Sequence, residues 1–508
     1  MSLWGRRPSE EPSGSRPSPL SWRKRRVAPD YEQERKDIQG LLLHGYKRME
    51  VARFLLLGIS EARGCRAWLR ELLPELTSSA DKSPEVLDQE SSCANVAFTW
   101  PGLQALGLEP EALKTFPFEF RQGMAERAHL LGDSGDSHPE RWEFGGQGSQ
   151  GVPQERIHVM LMLYATDEDA MKEVLARHRD RLAAAGLVEL YCQPAAHMKE
   201  KVTVQGKEHV FFKEHFGFRD SLSQPRIAGF RDPDVGAADY DRPIAAGEFI
   251  LGYENEYGEK PMSPRIPAAK GDTDLGHNGT YLVLRKLHQD VAAFEAFVKE
   301  HQDLAARYTS EPEKQRTWLK AKLIGRWPNG AYLRPGEHEQ PQCPHMDAHG
   351  IANDFNFRSD KEGFGCPLTS HVRRANPRDS LPPDRKLSMK LSRRHRILRR
   401  GIPYERAGEQ GLLFIALNAN LGRQFEFVQE SWMNNEKAGG LYDERDPVTS
   451  NQDSGRLTLS AQPLRQSVRG LTRFVTVKGG GYFFLPGLAA LRRLAAPAGT
   501  LEPEQAAT

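Results

Sequence analysis

Residues 158–192 read HVMLMLYATDEDAMKEVLARHRDRLAAAGLVELYC, and this stretch decides the fold class. The apolar run 158–164 predicts a strand, and the charged, amphipathic run 167–185 predicts a helix that stops at Gly186. Residues 187–192 are again strand-like. A strand, a helix and a second strand in this order are typical of ferredoxin-like α+β sheets.

The second half of the chain repeats this order of elements. Residues 280–285 predict a strand, and residues 290–301 predict an amphipathic helix because Phe294, Phe297 and Val298 fall on one helical face. Further strands are expected at 52–59, 95–99, 411–417, 473–477 and 482–485, although 52–59 could instead be a core helix. A glycine turn at 479–481 is expected between the last two strands. Further helices are expected at 423–432 and 487–494. The glycine-rich residues 132–153 are expected to form a surface loop.

These patterns predict an α+β fold with two ferredoxin-like domains, each an antiparallel sheet with peripheral helices. We expect an N-terminal domain at 36–235 and a C-terminal domain at 236–495. The segments 1–35 and 496–508 are too polar to bury a core and are expected to be disordered tails, the first of them basic.

Composition excludes several classes of protein. The 508 residues contain 70 Lys and Arg against 68 Asp and Glu, and this near balance argues against bulk attraction to nucleic acid or anionic lipid. No apolar run approaches the ~18 residues that a membrane-spanning helix needs. The five cysteines are scattered and odd in number, which argues against a disulfide framework. No export signal is recognisable near the N-terminal basic run, so we expect a cytoplasmic protein.

Two segments carry residues suited to chemistry. In residues 366–404, His371 is closely followed by arginines, a pattern that suits a cofactor needing an axial nitrogen ligand and counter-charges for carboxylates or phosphates. In residues 216–225, Asp220 lies in an apolar, glycine-assisted turn, where desolvation can bring the pKa of its carboxyl group to a working value.

Taken singly, each of these residues has an ordinary explanation. A lone histidine such as His371 is usually structural. Asp220 alone would be a turn or cap residue, and Arg399 alone would belong to a solvated basic run. The order and spacing of several motifs therefore carry the interpretation.

Together the motifs resemble the dye-decolourising peroxidase family of haem enzymes. The resemblance covers residues 36–495 and rests on segments at 37–40, 217–225, 247–253, 278–283, 325–327, 366–379 and 396–404. It implies two ferredoxin-like domains with one haem b per chain held between them. This expectation agrees with the doubled order of elements.

The resemblance also implies roles for individual residues. His371 matches the axial ligand of the haem iron, and Asp220 and Arg399 match the catalytic pair on the opposite, distal side. Contacts with the haem or its pocket are implied for Ser221, Leu222, Ser223, Asn376, Arg378, Leu412 and Phe414, with Asn376 and Arg378 at the propionates. Asp446 is the expected acidic partner of His371, and the cationic segment 373–400 is expected to cradle the dianionic haem.

One position departs from the family motif. Ser221 stands where the motif has its second glycine. If that position requires positive φ, serine adds strain of ~1 kcal/mol or more, and its hydroxyl could change the acidity of Asp220. We expect activity to survive because the aspartate itself is present.

The resemblance implies a peroxidase that reduces hydrogen peroxide and oxidises dyes, phenolic compounds or other organic electron donors in one-electron steps. Asp220 would act as the general acid–base, and Arg399 would stabilise developing negative charge. Neither nucleic acid nor a membrane is expected as a partner, and a homo-oligomer is allowed. The alternatives are a haem-binding sensor or dechelating protein with little turnover, and a non-haem interaction protein with a structural His371.

Overall fold

The computed structural model describes residues 30–80, 90–204, 207–230, 242–266, 273–341, 353 and 355–497. Most of the two predicted tails, residues 1–29 and 498–508, lies outside these ranges. Residues 31–35 of the first predicted tail form a short helix, which begins after Asp30 because the Asp30 carboxylate accepts hydrogen bonds from two backbone N–H groups.

The described residues form seventeen strands. The first half contributes β1 (Val51–Ile59), β2 (Ser92–Phe98), β3 (Phe144–Gly146), β4 (Val152–Pro153), β5 (Val159–Ala165), β6 (Leu187–Ala196), β7 (Met198–Val204) and β8 (Lys207–Lys213). The second half contributes β9 (Arg265–Ile266), β10 (Thr273–Asp274), β11 (Thr280–Gln289), β12 (Leu398–Arg399), β13 (Ile402–Arg406), β14 (Glu409–Asn418), β15 (Gly455–Leu459), β16 (Gln466–Leu471) and β17 (Val475–Leu485).

The helices lie around these strands. They are α1 (Tyr31–Arg35), α2 (Gly40–Leu43), α3 (Ala62–Leu72), α4 (Trp100–Ala105), α5 (Pro110–Lys114), α6 (Phe118–Gln122), α7 (Ala128–Leu131), α8 (Glu168–Ala184), α9 (Val291–Glu300), α10 (Pro312–Ile324), α11 (His371–Ala375), α12 (Arg385–Arg394) and α13 (Leu488–Ala495). Within the described ranges, none of them is both long and apolar enough to cross a bilayer.

The strand–helix–strand unit predicted from residues 158–192 is present as β5, α8 and β6. The helix begins where the Asp167 carboxylate accepts hydrogen bonds from the N–H groups of Asp169 and Ala170, at 3.0 and 2.9 Å. The chain turns into β6 at Gly186, which has a φ of 66°. The α+β class is confirmed.

The two halves share one sheet. Its main path runs β14–β11–β17–β2–β5–β1–β6, and the halves meet where Phe484 of β17 pairs with Phe98 of β2. The sheet curls so that its outer strands β6 and β13 touch, and Arg406 Nη1 donates to the carbonyl of Cys192 at 3.4 Å. The two α+β units are therefore joined into one barrel-like body.

Alternation along the strands separates two environments. In β14, Leu413, Ile415 and Leu417 face a core that both halves share. Leu412 and Phe414 point to the other face, which in the second half borders a cavity. The shared core therefore holds in place the strands whose opposite face borders the cavity.

The expected glycine turn at 479–481 is wrong, because these residues lie inside the continuous strand β17. Gly479 lies beside Phe144 of β3, and a Cβ atom at Gly479 would come within 2.9 Å of the Phe144 ring. The glycines therefore allow a close approach of neighbouring chain segments rather than a reversal.

The expected surface loop at 132–153 is also wrong. It contains both β3 and its partner strand β4, and the Trp142 and Phe144 side chains are fully buried. Its first residues reach the second half of the molecule, where Asp133 borders the cavity. The helix expected at 423–432 is present as two π-helical segments, Gly422–Glu426 and Val428–Asn434.

Candidate functional site

A cavity of about 310 Å³ lies against the second half of the sheet. Its walls come from β11, β14 and β17, from helix α11, and from residues 214–223 and 395–399. Residues 131–133 and 137 of the first half close one end. The site thus draws on both halves, as a group held between two domains requires.

Most of the residues assigned by resemblance meet in this cavity. Its lining includes Asp220, Leu222, Ser223, His371, Asn376, Arg378, Arg399, Leu412 and Phe414. Asp446 lies behind His371, and Ser221 is not part of the lining. Asp220 and Ser223 come from the turn after β8, whereas His371 comes from helix α11. Only the folded chain brings them together.

His371 is the first residue of α11 and has a buried acidic partner. Its Nδ1 lies 2.9 Å from Oδ2 of Asp446, which leaves Nε2 as the ring nitrogen available to a ligand. A carboxylate on Nδ1 fixes the tautomer and the orientation of the ring, and it raises the basicity of the other nitrogen. This is the arrangement that an axial metal ligand needs.

Asp446 is fully buried and stays ionised through its hydrogen bonds. Burial pushes the pKa of its carboxyl group upward, but His371 and the backbone N–H groups of Val448 and Thr449 outweigh burial and hold the pKa below its ordinary value. The two N–H groups donate to Oδ1 at 2.9 and 2.8 Å. Oδ2 is therefore free to hold the histidine.

The turn that carries Asp220 is tightly constrained. The Asp220 N–H donates to the Phe212 carbonyl at 2.8 Å, and its Oδ1 accepts from the Ser221 N–H at 2.6 Å. Ser221 has a φ of 63°, so this position does require the left-handed conformation that glycine adopts without strain.

Two arginines hold the next residues of the turn. Arg399 Nη2 donates to the Leu222 carbonyl at 2.6 Å, and Arg396 Nη2 donates to the Ser223 carbonyl at 2.9 Å. The Arg399 N–H also donates to Oε1 of Gln224 at 3.0 Å. Strand β12 and the Asp220 turn are thereby fixed to one another at the cavity wall.

Two further arginines line the cavity with few counter-charges. Burial lowers the pKa of Arg326 to about 10, and the neighbouring cations Arg399 and Arg219 add to this effect. Burial also lowers the pKa of Arg219 to about 10. Both remain cationic at neutral pH, so an anionic group in the cavity would relieve the repulsion between them.

The cationic segment 373–400 is only partly directed at the cavity. Arg378, Arg396 and Arg399 line it, but Arg373 and Arg374 do not. Arg373 donates to the Asp360 and Cys366 carbonyls, and Arg374 donates to the Trp432 carbonyl. The expectation that the whole segment cradles a haem is therefore wrong, because neighbours on a helix point in different directions.

The sequence did not indicate several charged or polar groups in the cavity wall, among them Arg285, Asp133, Glu214 and Gln289. Arg285 and Asp133 form a buried ion pair at the end closed by the first half. Glu214 and Gln289 lie near Asp220 and are hydrogen-bonded to each other. A signal existed only for Glu214, an acidic residue placed just before the Phe216-Gly217-Phe218 turn.

The cavity fits an amphipathic anionic group such as a haem. Arg219 Nη1 and Trp327 Nε1 border it and are buried without a hydrogen-bond partner among the described residues. Apolar side chains such as Leu412 and Phe414 suit a flat hydrocarbon ring, and the arginines suit carboxylates. His371 adds the nitrogen ligand, so the set of donors matches the group that the sequence predicts.

Comparison with known families gives the same assignment. The family model described as the DyP dimeric alpha+beta barrel domain matches residues 37–198. The model described as the Dyp-type peroxidase C-terminal domain matches residues 245–451. Together they cover most of the chain.

Similar proteins match from about half to nearly all of the chain. Peroxidase 2 of Mycetinis scorodonius is 28% identical over 503 residues, covering 90% of this chain and 86% of its own length. Multifunctional dye peroxidase DyP2 of an Amycolatopsis species is 34% identical over 315 residues, covering 55% and 61%. The solved DyP-type peroxidase of an Anabaena species has a TM-score of 0.71 at 24% identity, covering 92% and 95%. The chain therefore belongs to the dye-decolourising peroxidase family.

Proposed function

We propose that this chain is a haem b peroxidase, with one haem per chain, that reduces hydrogen peroxide and oxidises organic donors in one-electron steps. The observation that carries the proposal is that His371, held by Asp446 at 2.9 Å, borders the same cavity as Asp220 and Arg399. Membership of a haem-dependent peroxidase family supports the same function.

His371 Nε2 would bind the iron, and Asn376 and Arg378 would hold the propionates. When bound, a haem supplies a redox-active iron that accepts oxidising equivalents from peroxide and releases them singly to a donor. Asp446 keeps His371 in one tautomer and orientation. The apolar wall at Leu412 and Phe414 restricts water around the reacting atoms.

Asp220 would move the proton of the peroxide. One of its oxygens is held by the Ser221 N–H, which leaves the other for substrate, and a carboxylate so placed can take a proton from one peroxide oxygen and return it to the other. The guanidinium group of Arg399 would stabilise the negative charge that develops as the oxygen–oxygen bond breaks.

Cofactor binding is tested by spectroscopy of the purified protein supplied with haem. We expect a Soret band in wild-type protein and in His129→Ala, because His129 is exposed on α7. We expect the band to be lost or greatly weakened in His371→Ala. A protein without a Soret band after haem supplementation would contradict the proposal.

Turnover distinguishes the peroxidase from a haem-binding protein with little activity. Asp220→Asn should lower the rate with peroxide by ~10²-fold or more while haem stays bound, whereas Asp180→Asn on the exposed face of α8 should leave it unchanged. An anthraquinone dye and 2,6-dimethoxyphenol, the compound bound in a solved family member, are suitable donors. Wild-type protein that binds haem without turnover would favour the alternative.

A further inference from the structure

Glu214 lies six residues before Asp220 and holds the turn between them from the inside. Its side chain accepts hydrogen bonds from the N–H groups of Phe216 and Phe218, at 3.0 and 2.8 Å, and from Nε2 of Gln289 on β11, at 2.6 Å. Three donors converge on one carboxyl group, so the two oxygens of Glu214 hold both ends of the turn and β11 at once.

The backbone of the same residues closes a loop around this carboxylate. The Glu214 N–H donates to the Phe218 carbonyl at 3.0 Å, and the Gly217 N–H donates back to the Glu214 carbonyl at 2.9 Å. Gly217 has a φ of 90°, a backbone conformation that residues other than glycine adopt only with strain. The loop ends at Asp220, whose own N–H returns to the Phe212 carbonyl.

Glu214 also borders the cavity, and this position is costly for a carboxylate. Burial raises the pKa of Glu214, and the charge of Asp220 raises it further, while the three donors oppose both effects. Gln289 presents its Nε2 to Glu214, and its Oε1 is buried without a hydrogen-bond partner among the described residues. Burying a carboxyl group at the cavity wall costs free energy, so we expect Glu214 to have a role beyond filling space.

We propose that Glu214 is a positioning residue for Asp220: its carboxylate fixes the Phe216–Phe218 turn and thereby sets where the Asp220 carboxyl group meets peroxide. The inference rests on the proposed peroxidase function. It assigns Glu214 no contact with substrate, because its two oxygens are already occupied by the turn and by Gln289.

The decisive variant is Glu214→Gln, which keeps the shape of the side chain. Its NH₂ group cannot accept a hydrogen bond, so at least one N–H donor of the loop loses its partner. We expect the rate constant for reaction with peroxide to fall by about ten- to a hundredfold, as for a catalytic group displaced by up to an ångström. The KM for the organic donor should not change. Glu173→Gln, on the exposed face of α8, is the matched control and should behave as wild type.

A double-mutant comparison separates positioning from a general structural role. If Glu214 acts through Asp220, Glu214→Gln should change the rate less than about twofold when Asp220 is already Asn. Equal fold losses in both backgrounds would overturn the proposal, as would an unchanged rate in the single variant. Wild-type holoenzyme that does not react with peroxide would instead overturn the proposed function, so the two failures are distinct.

A second variant guards against loss of folding. Gln289→Met removes only the side-chain donor and leaves both backbone N–H groups on Glu214. It should give a smaller loss of rate, about two- to fivefold, with the same dependence on Asp220. If Glu214→Gln and Gln289→Met both fail to retain haem, Glu214 is a packing residue and the proposal is wrong.

Discussion

At the scale of single residues, Ser221 is the position where this chain departs from its family motif. Its φ of 63° lies in the left-handed region, in which a Cβ atom meets the following carbonyl group. The structure thus gives the substitution a physical cost, while the neighbouring Asp220 keeps its backbone and side-chain hydrogen bonds.

We therefore expect Ser221→Gly to raise the free energy of unfolding by about 0.5–1 kcal/mol, since the relief of strain exceeds the added freedom of the unfolded chain. Urea unfolding of the two proteins measures the change. Ser223→Gly is the matched comparison: its φ of 56° is also left-handed, but its hydroxyl contacts Asn353 and Arg326. That variant should gain nothing, and equal gains in both would contradict the argument.

The sequence predicted residues that a motif identifies and missed those that only tertiary contacts identify. His371, Asp220 and Arg399 were found because their neighbours in the chain form recognisable segments. Arg285 and Asp133, 152 residues apart, become a pair only when the first half closes one end of the cavity. The spacing of residues in the sequence also does not show which way a side chain points. The prediction that Arg373 and Arg374 face the haem was wrong for this reason.

At the scale of elements, helix α8 carries a buried histidine. His178 is 1% exposed, and burial lowers the pKa of its ring to about 4, with Arg177 and Arg181 lowering it further against the opposite effect of Glu75. His197, at the end of β6, also has a pKa lowered to about 4, chiefly by burial. The folded protein therefore holds both rings neutral over a range in which an unfolded chain takes up protons.

Stability should consequently fall as the pH drops from about 6.5 towards 4, because protons bind the unfolded state more strongly. The contribution of His178 should reach roughly 3 kcal/mol at the acidic end, from a pKa lowered from 6.5 to about 4 at ~1.4 kcal/mol per pH unit. Urea unfolding at several pH values measures this dependence. His178→Leu should flatten it by up to about one proton, whereas exposed His129→Leu should leave the slope unchanged. A slope unaltered in His178→Leu would refute the assignment.

Strand β17 shows which elements local pattern predicts and which it does not. The apolar side chains of residues 473–477 and 482–485 predict strands, but the three glycines between them predict a turn. The strand continues through these positions, and they are glycines because Phe144 and Met124 occupy the space that side chains at Gly479 and Gly480 would fill. These partners come from distant parts of the sequence, so no local rule contains them.

At the scale of the whole molecule, a polar cluster ties the two halves together away from the sheet junction. Lys286 of β11 is 2% exposed, and its ammonium group lies 2.6 Å from Glu143 of the first half and 2.9 Å from Glu409 of the second. Tyr191 of β6 donates to the same Glu143 at 2.6 Å. One buried cation thus forms ion pairs with carboxylates from both halves.

Lys286→Met should lower the free energy of unfolding by about 2–3 kcal/mol, less than for a completely buried pair because both carboxylates keep about a third of their surface exposed. Thermal and urea unfolding measure the loss. Lys172→Met is the control, since the Lys172–Asp169 pair is exposed to solvent and should contribute little to stability. A loss no larger than that of the control would show that the cluster does not hold the halves together.

The place of β17 between β11 and β2 has a consequence for the synthesis of the protein. The ribosome makes residues 475–485 last among the strands that the structure describes, yet the sheet needs them at its centre. Until they emerge, β11 presents an unpaired backbone edge along the ten residues that pair with β17, the kind of surface that recruits chaperones and seeds aggregation. We expect nascent chains that stop short of residue 475 to be degraded or chaperone-bound rather than to accumulate as half-barrels.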